Sequence, residues 1–489
     1  MIDNLDPEDN SPTADMKTKL IACLIALASP LAAAEKPNFI VVFIDDMGWA
    51  DFSCFGNKDA ETPNIDRMAA EGIRFEQFYV NSPICSPSRC ALTTGQYPQR
   101  WKITSFLNNR ADNDRRGMAQ WLDPAAPTLA RFLKQDGYAT GHFGKWHLGG
   151  QRDVNEAPPI TRYGFDTSLT NFEGMGAKLL PLAIAPGDKK PHKIWADAVT
   201  LGEPVTWMPR SEITGGFIDA ALPFIDKAVE EKKPFYINLW PDDVHSPFWP
   251  PVDKWADGKR GLYHSVLREM DRQFGKLFDH IRDTPALRDN TIILICSDNG
   301  PEPGAGSAGK FRGHKGSLYE GGIRSPLIVW APGKIAAEKA GSTDDRSVMA
   351  AFDIAPSLLG IAGIALPDDV KLDGEDHSAA LLGRQATVRG SALCWRRPPD
   401  RKIVGQPARR QSDLAVRDGK WKLLCEYDGS RPILYDLDAD PAESEDLAGK
   451  HPGVVTRLAK AVTGWNRSMP QDNGEKLGAA ATRGKAKRK

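Results

Sequence analysis

The sequence predicts an α/β fold in which a large, mainly parallel sheet is sandwiched by helices. Runs of apolar and β-branched residues alternate along the chain with segments of helical periodicity, which is typical of a parallel sheet covered on both sides. The first run is apolar along its whole length, as expected for a strand buried on both faces. After about residue 365 the chain has short alternating runs separated by Gly, Asp and Pro. This change predicts a smaller C-terminal α+β domain built on an antiparallel sheet.

Chain length predicts more than one domain, because 489 residues exceed what one ordinary hydrophobic core contains. We expect a larger domain over residues 35–365, a C-terminal subdomain over 366–470 and a disordered basic tail over 471–489. The composition, 41% hydrophobic and 26% charged, is that of a globular protein in water. A net charge of -1 gives no basic field, so nothing indicates nucleic acid or a membrane surface as a partner.

The strands are predicted from the apolar runs. In the larger domain these runs occupy residues 38–44, 138–143, 235–239, 291–296 and 327–330. In the C-terminal subdomain they occupy residues 391–395, 413–417, 421–426 and 433–437. The stretch 151–216 has weak periodicity and many Pro and Gly residues, so we expect it to form loops around a pocket mouth.

The helices are predicted from caps and from apolar faces. A helix over residues 62–71 has Thr62 as its cap, Pro63 in its first turn and Gly72 as its stop. Further helices are expected over residues 128–136 and 454–465. One face of a long helix is formed by Val266, Met270, Phe274, Leu277 and Ile281.

Polar side chains follow the ends of the predicted strands. In open α/β sheets, ligands bind outside the carboxyl ends of the strands, so a single site explains the positions of these side chains. They are Asp45, Asp46, Lys145, His147, His245, Asp298 and Asn299.

Two pairs in this set are candidate metal ligands. Asp45 and Asp46 follow one buried strand, and Asp298 and Asn299 follow another. All four offer oxygen ligands, which favours Ca²⁺ or Mg²⁺ over zinc. Either pair alone is as well explained by turn and cap residues, but two pairs after two buried strands indicate a metal site.

The most informative segment runs from Cys85 to Gly95 and reads Cys, Ser, Pro, Ser, Arg, Cys, Ala, Leu, Thr, Thr, Gly. Pro87 and the small polar residues around it predict a turn entering a helix, with Cys85 just before the helix N-terminus. Unpaired amides and the positive end of the helix dipole favour an anionic ester there. Arg89 lies one turn later on the same face and can hold an oxyanion. A buried structural thiol is the ordinary alternative for Cys85.

This segment resembles the sulfatase signature, and the resemblance extends from about Asn38 to Asp446, nearest to the arylsulfatase A branch. It implies an alkaline phosphatase-like fold. It also implies that a formylglycine-generating maturation enzyme oxidises Cys85 to formylglycine, an aldehyde whose hydrate is the nucleophile. The ion implied is Ca²⁺ rather than Mg²⁺. Its implied ligands are Asp45, Asp46, Asp298, Asn299 and the modified Cys85.

The resemblance also implies roles for the remaining polar residues. Arg89 and Lys145 match residues that hold the sulfate, and Lys145 also contacts the hydrate. His147 matches the base that takes a proton from the hydrate, and His245 matches the group that protonates the leaving alcohol. Lys315, in the run Arg, Gly, His, Lys, Gly, matches a second lysine that binds sulfate.

The function implied is hydrolysis of sulfate esters, and we expect a sulfated carbohydrate rather than a simple aryl sulfate. Aromatic side chains suit stacking on sugar rings, although tryptophan is more often part of a core. The candidates are Trp101, Trp195, Trp207, Trp240 and Trp249.

Three alternative functions compete with sulfate ester hydrolysis. A zinc phosphatase needs more histidine and acid ligands than this chain offers. A phosphonate monoester or phosphodiester hydrolase that also uses formylglycine is harder to exclude. The third is a non-catalytic homologue that binds sulfated glycans and whose cysteine is never oxidised.

Export is expected from the N-terminal segment. Residues 16–34 combine a short basic start, an apolar run and small residues before Glu35, which predicts a signal peptide cleaved after Ala34, with Met16 as the true initiator. No segment is long and apolar enough to span a bilayer, so we expect a periplasmic or secreted protein. Cys394 and Cys425 could pair there, although their spacing does not show it.

Overall fold

Sixteen strands form three sheets in this computed structural model, which describes residues 36–400, 411–474 and 476. In chain order they are β1 (Asn38–Ile44), β2 (Ile73–Tyr79), β3 (Ala139–Gly144), β4 (Thr167–Leu169), β5 (Lys178–Ala183), β6 (His192–Lys193), β7 (Val205–Pro209), β8 (Phe235–Trp240), β9 (Thr291–Ser297), β10 (Arg324–Trp330), β11 (Ser342–Asp344), β12 (Met349–Ala350), β13 (Leu393–Arg396), β14 (Leu414–Asp418), β15 (Trp421–Cys425) and β16 (Ile433–Asp436).

The main sheet contains nine of these strands in the order β11-β2-β10-β9-β1-β8-β3-β4, with β12 paired to β2. Strand β10 runs antiparallel to both of its neighbours, β2 and β9. The other neighbouring pairs run parallel. The prediction of a large, mainly parallel sheet is therefore confirmed.

Eleven α-helices surround and connect the sheets in the described parts of the chain. They are α1 (Pro63–Glu71), α2 (Cys85–Thr94), α3 (Arg110–Arg116), α4 (Leu129–Gln135), α5 (Ile213–Glu230), α6 (Gly258–Asp283), α7 (Pro285–Arg288), α8 (Glu320–Ile323), α9 (Ile354–Ala362), α10 (Ser378–Leu381) and α11 (Pro452–Ser468). Short 3₁₀ turns lie at Ser53–Phe55, Pro98–Trp101, Ile160–Tyr163, Ala196–Leu201, Arg210–Glu212, Val252–Lys254, Ala337–Lys339 and Ala351–Asp353.

Strand β1 divides the interior into two cores because alternate side chains of a strand point to opposite faces. Phe39, Val41 and Phe43 pack in a core with helices α2 and α4. Ile40, Val42 and Ile44 pack on the other face with helices α1, α5 and α6. Every residue of β1 is buried, which explains why its sequence is apolar without alternation.

The C-terminal part is built on the antiparallel sheet β13-β14-β15-β16. Leu458 and Val462 of α11 are buried in the same core as Leu414 and Leu423 of this sheet. The predicted α+β character of this part is confirmed. Both large sheets belong to one compact unit that begins at Pro37, and the boundary between residues 365 and 366 stays a prediction.

Two local predictions differ from the structure. The stretch 151–216 is not only loops, because it contains the three-stranded sheet β6-β5-β7, in which Leu180 of β5 is fully buried. Cys394 and Cys425 are both free thiols. They lie on β13 and β15 with β14 between them, so about 10 Å of sheet separates their strands, whereas a disulfide needs Cα atoms within about 7 Å.

The predicted signal segment over residues 16–34 and most of the predicted tail over 471–489 lie outside the described residues. Among the residues that the structure describes, no helix has the length and apolar character needed to cross a membrane.

Candidate active site

The polar residues singled out in the sequence meet at one edge of the main sheet. Strands β9, β1, β8 and β3 are consecutive neighbours in that sheet and run parallel. Their carboxyl ends therefore lie side by side. The residues that follow these ends are Asp298 and Asn299, Asp45 and Asp46, His245, and Lys145 and His147.

Three carboxylates form the centre of the site. One carboxylate oxygen from each of Asp45, Asp46 and Asp298 can be chosen so that all three lie within 4.8 Å of one another. The backbone N–H of Asp46 donates to Oδ1 of Asp298 at 3.2 Å, and Nδ2 of Asn299 donates to Oδ1 of Asp46 at 2.9 Å. Asp46 has a φ of 59°, which few residues other than glycine adopt, so the surrounding contacts hold it in a strained conformation.

Three cations surround these carboxylates. The Arg89 guanidinium lies 2.7 Å from Oδ2 of Asp298 and 3.2 Å from Oδ1 of Asp45. Lys145 Nζ lies 2.7 Å from Asp45, and Lys315 Nζ lies 2.5 Å from Asp46. Because these groups are almost fully buried, their charges are only weakly screened by solvent.

The pKa values of two carboxyl groups move in opposite directions. Burial alone would raise the pKa of Asp45, but Lys145 and Arg89 help to hold it well below its ordinary value. Burial and the negative charge of Asp45 raise the pKa of Asp298 well above its ordinary value. The local cations therefore do not fully balance the carboxylates, and a further positive charge would stabilise all three in the ionised state.

The donor set fits a hard divalent cation. Oδ1 of Asp45 and Oδ1 of Asn299 are buried, and neither accepts a hydrogen bond from any residue that the structure describes, although the Arg89 guanidinium lies 3.2 Å from Oδ1 of Asp45. Buried oxygens that accept no hydrogen bond are costly unless another partner satisfies them. Carboxylate and amide oxygens are the ligands that Ca²⁺ and Mg²⁺ prefer, and zinc prefers nitrogen and sulfur.

Cys85 is the first residue of α2, one position further into the helix than the sequence predicted. Ile84 before it is extended, so the chain enters the helix directly from a loop. Arg89 lies one turn further along the helix and is completely buried. Carboxylates raise the pKa of the three cations against the effect of burial, chiefly Asp298 for Arg89, Asp45 for Lys145 and Asp46 for Lys315, and Cys85 is a further neighbour of all three.

The two histidines have different environments. His245 keeps about a quarter of its side chain exposed, and its Nε2 lies 3.7 Å from Oδ2 of Asp46. His147 is buried, and its Nε2 lies 3.0 Å from the carbonyl oxygen of Leu107 and 3.1 Å from Oε1 of Glu173. Burial lowers the pKa of His147 to about 4. At neutral pH His147 is therefore an uncharged imidazole that can accept a proton.

Residues 37–364 match the model of the sulfatase family, and residues 309–464 match the C-terminal model of N-sulphoglucosamine sulphohydrolase. The chain belongs to the sulfatase family. It is accordingly a sulfatase, an enzyme that hydrolyses sulfate esters, and the predicted enzyme class is confirmed.

Similar proteins cover most of this sulfatase. Human arylsulfatase A is 31% identical over 90% of this chain and 89% of its own length. An N-acetylgalactosamine-6-O-sulfatase from Bacteroides thetaiotaomicron is 30% identical over 87% of this chain and 92% of its own. A crystal structure described as Ps i-CgsB in complex with k-i-k-neocarrahexaose has a TM-score of 0.71 and 26% identity, covering 88% of this chain and 92% of that one.

Sequence reasoning missed part of the site of this sulfatase. The Phe172 ring lies 5.8 Å from Nζ of Lys145, and its centroid lies 4.0 Å from that of Trp195. The guanidinium of Arg210 lies 5.2 Å from the Trp195 ring and forms a buried ion pair with Asp242 at 2.8 Å. Glu173, beside His147, was missed as well. These residues follow very short strands or lie in turns, and the only available signal was a Pro- and Gly-rich stretch assigned to the pocket mouth.

The tryptophan candidates separate into two groups. Trp195 is half-buried and contacts Phe172, which borders the site. Trp240 is fully buried and lies under the Arg89 guanidinium at 5.2 Å, so it belongs to the core. Trp101 and Trp207 pack against core clusters, and Trp249 packs against another tryptophan.

Proposed function

We propose that this sulfatase removes sulfate from a sulfated carbohydrate, with formylglycine formed from Cys85 and with Ca²⁺ as its resident ion. The observation that carries the proposal is the position of Cys85. It begins a helix whose positive end faces the site, and it lies within the field of Arg89, Lys145 and Lys315. A singly charged sulfate ester, and the doubly charged sulfate ion released from it, are anions that these cations can hold.

Ca²⁺ is proposed over Mg²⁺ because it is the ion that the family resemblance implies. Asp45, Asp46, Asp298 and Asn299 supply only oxygen atoms, two of which accept no hydrogen bond within the described chain. Ca²⁺ tolerates irregular oxygen coordination, whereas Mg²⁺ demands near-octahedral geometry and retains water. A bound ion would neutralise sulfate oxygens and orient the ester.

The hydrated aldehyde of formylglycine would supply a hydroxyl nucleophile at a carbon that can afterwards release sulfate by C–O cleavage, which a serine or cysteine side chain cannot do. Arg89, Lys145 and Lys315 hold the sulfate oxygens during this cycle. His245, which is partly exposed, donates a proton to the leaving alcohol. His147 is uncharged at neutral pH and accepts a proton.

A carbohydrate substrate is supported by the relatives and by the site wall. Two similar proteins are, by name, an N-acetylgalactosamine-6-O-sulfatase and a protein crystallised with neocarrahexaose. Phe172 and Trp195 form a half-buried aromatic pair beside Lys145. Aromatic faces of this kind stack on the apolar faces of sugar rings.

Export and maturation complete the proposal. The signal-like segment over residues 16–34 directs the chain to the periplasm or the medium, and a formylglycine-generating enzyme converts Cys85. Both parts are read from the sequence and from the family resemblance.

The first test is the mass of the peptide that contains Cys85, purified from a host able to make formylglycine. Conversion of the thiol to an aldehyde lowers the mass by about 18 Da. Sulfate release is then measured on defined sulfated mono- and oligosaccharides, with an aryl sulfate and an aryl phosphate diester alongside. Faster turnover of the phosphate diester would contradict sulfatase specificity, and an unmodified thiol in an active preparation would contradict the nucleophile.

A further inference from the structure

Glu173 is a buried acid that the proposed function does not use. It lies in the turn after β4, and its Oε1 lies 3.1 Å from Nε2 of His147. Only 8% of the Glu173 side chain and 5% of the His147 side chain are exposed. Buried carboxylates are rare unless they are paired, and His147 is the partner of this one. Glu173 therefore affects the protonation of His147.

The protonation of the imidazole follows from its partners. Nε2 of His147 lies 3.0 Å from the carbonyl oxygen of Leu107, and a carbonyl oxygen can only accept a hydrogen bond. Nε2 must therefore carry the hydrogen, which it shares between Leu107 and Glu173. In the neutral ring the lone pair then lies on Nδ1. Nδ1 is buried and has no hydrogen-bond partner among residues 36–400, 411–474 and 476.

The charged groups around His147 and Glu173 include some that raise and some that lower the pKa of each. Lys145 and Arg89 disfavour a positive His147, whereas Glu173 favours it. Around Glu173, burial raises the pKa, His147 and Lys145 lower it, and Cys85 and Asp45 raise it. Lys178, whose Nζ donates to the carbonyl of Gly174, also faces this carboxyl group. Of the charged groups that act most strongly on His147 in the described chain, Glu173 is the acid.

We propose that Glu173 is a positioning residue that holds His147 in the tautomer protonated at Nε2, so that Nδ1 is the atom that accepts a proton during turnover. When a hydroxyl group in the site gives its proton to Nδ1, the electron pair of the broken O–H bond stays on oxygen. The ring becomes an imidazolium, and the adjacent carboxylate stabilises that charge. A base oriented by a third group is a recurring arrangement in nucleophilic catalysis. The catalytic role of Glu173 rests on the proposed function, whereas the tautomer of His147 does not depend on it.

The geometry is tested without activity. In the full-length protein labelled with ¹⁵N-histidine, the His147 resonances are assigned by their loss in H147N. We expect a protonated Nε2, an unprotonated Nδ1 and an Nε2–H proton that moves upfield in E173Q. A protonated Nδ1 in the wild-type protein would overturn the proposal. An Nε2–H chemical shift that is the same in E173Q as in the wild type would also overturn it.

The catalytic meaning is tested by steady-state kinetics with E173Q, E173D and the control E156Q. Glu156 is an exposed acid in the same stretch that pairs with Arg110, so E156Q should behave as wild type. We expect E173Q to lower kcat by about tenfold or more with KM nearly unchanged, and E173D to recover part of the loss. The acid limb of the kcat profile should move to lower pH in E173Q, because loss of a negative neighbour lowers the pKa of His147.

The outcomes separate the two proposals. If the wild type releases sulfate and E173Q has the same kcat, the proposed role of Glu173 is wrong and the proposed function stands. If the wild type released no sulfate although Cys85 was converted, the proposed function would fail, while the NMR result would still decide the tautomer.

Discussion

Arg89 shows how single side chains hold this site together. Its guanidinium bridges Asp45 and Asp298, donates to the backbone carbonyl of Lys145 at 3.0 Å and lies over the ring of Trp240. No atom of the residue is exposed. A planar group with five donors can satisfy such a set of partners, whereas a lysine cannot. At the scale of residues, the site therefore depends on matched buried charges.

Replacing Cys85 separates chemistry from packing. Cys85→Ala is expected to reduce sulfate release to background, because alanine cannot provide the aldehyde. Cys90→Ala is the matched control, since Cys90 is a buried cysteine on the same helix. Each substitution should cost about 1 kcal/mol of unfolding free energy, measured by urea denaturation. Sulfate release that persists in Cys85→Ala would contradict the proposed nucleophile.

Removing the metal should destabilise the protein. Without a cation, the three buried carboxylates repel one another, so EDTA is expected to lower Tm by about 3 °C, and Ca²⁺ should restore it. Differential scanning calorimetry with Ca²⁺ and then Mg²⁺ compares the two ions. Asp298→Asn should respond less, because one carboxylate is lost. A Tm that neither EDTA nor Ca²⁺ alters would contradict the metal site.

At the scale of elements, strand β1 and its neighbours were predictable and the wall of the site was not. The apolar runs over β1, β8 and β9 are long enough to identify buried strands, and the sheet rule then placed their following residues at one edge. Strand β4 has three residues, too few for any periodicity, so Glu173 carried no local signal. Its contact with His147 depends on how distant segments pack, which spacing along one chain does not encode.

Helix α8 and strand β15 are joined by a buried charge network. Lys422 Nζ lies 2.9 Å from Glu320 and 2.9 Å from Glu443, and Glu320 also accepts a hydrogen bond from Tyr79 at 2.6 Å. One lysine between two acids cannot fully balance both. Burial accordingly raises the pKa of Glu443 to about 7, while Lys422 and other cations lower that of Glu320 to about 2 despite its burial.

Glu443→Gln should change how stability depends on pH. The folded-state pKa of about 7 exceeds the ordinary 4.5, so between these values the folded protein binds a proton that the unfolded chain lacks. This contribution is present at low pH and is lost as pH rises to about 7. Relative to wild type, Glu443→Gln should gain about 3 kcal/mol of unfolding free energy between pH 4.5 and pH 8 in urea denaturation. A pH-independent difference would contradict the raised pKa, and sulfate release should be unaffected.

At the scale of the whole molecule, one edge of the main sheet carries the candidate active site, and the stretch 151–216 contributes residues beside it. The chain has a net charge of -1, so substrate recognition depends on local groups rather than on an overall field. On that surface the Phe172 ring lies 5.8 Å from Nζ of Lys145, and Trp195 lies beside Phe172.

Trp195→Ala should lower the activity on a sulfated oligosaccharide more than the activity on a small aryl sulfate. Loss of a stacking surface is expected to lower kcat/KM for a sulfated oligosaccharide by about tenfold, while a small aryl sulfate changes little. Trp421→Ala is the control, because Trp421 lies in the C-terminal sheet against His451. Equal losses on both substrates would show that Trp195 acts on the shared chemistry instead of on the sugar.

The contact between Lys422 and Glu320 limits where the chain can be shortened or recombined with a homologue. Glu320 belongs to the amino-terminal two thirds of the chain, yet its nearest buried ammonium group comes from β15, more than a hundred positions downstream. A fragment that ended before β15 would leave Glu320 with Arg324 at 3.1 Å and the Tyr79 hydroxyl as partners, but without the buried ammonium group of Lys422. Exchange of C-terminal segments between homologues should therefore keep both Glu320 and Lys422, because either charge buried without the other costs stability.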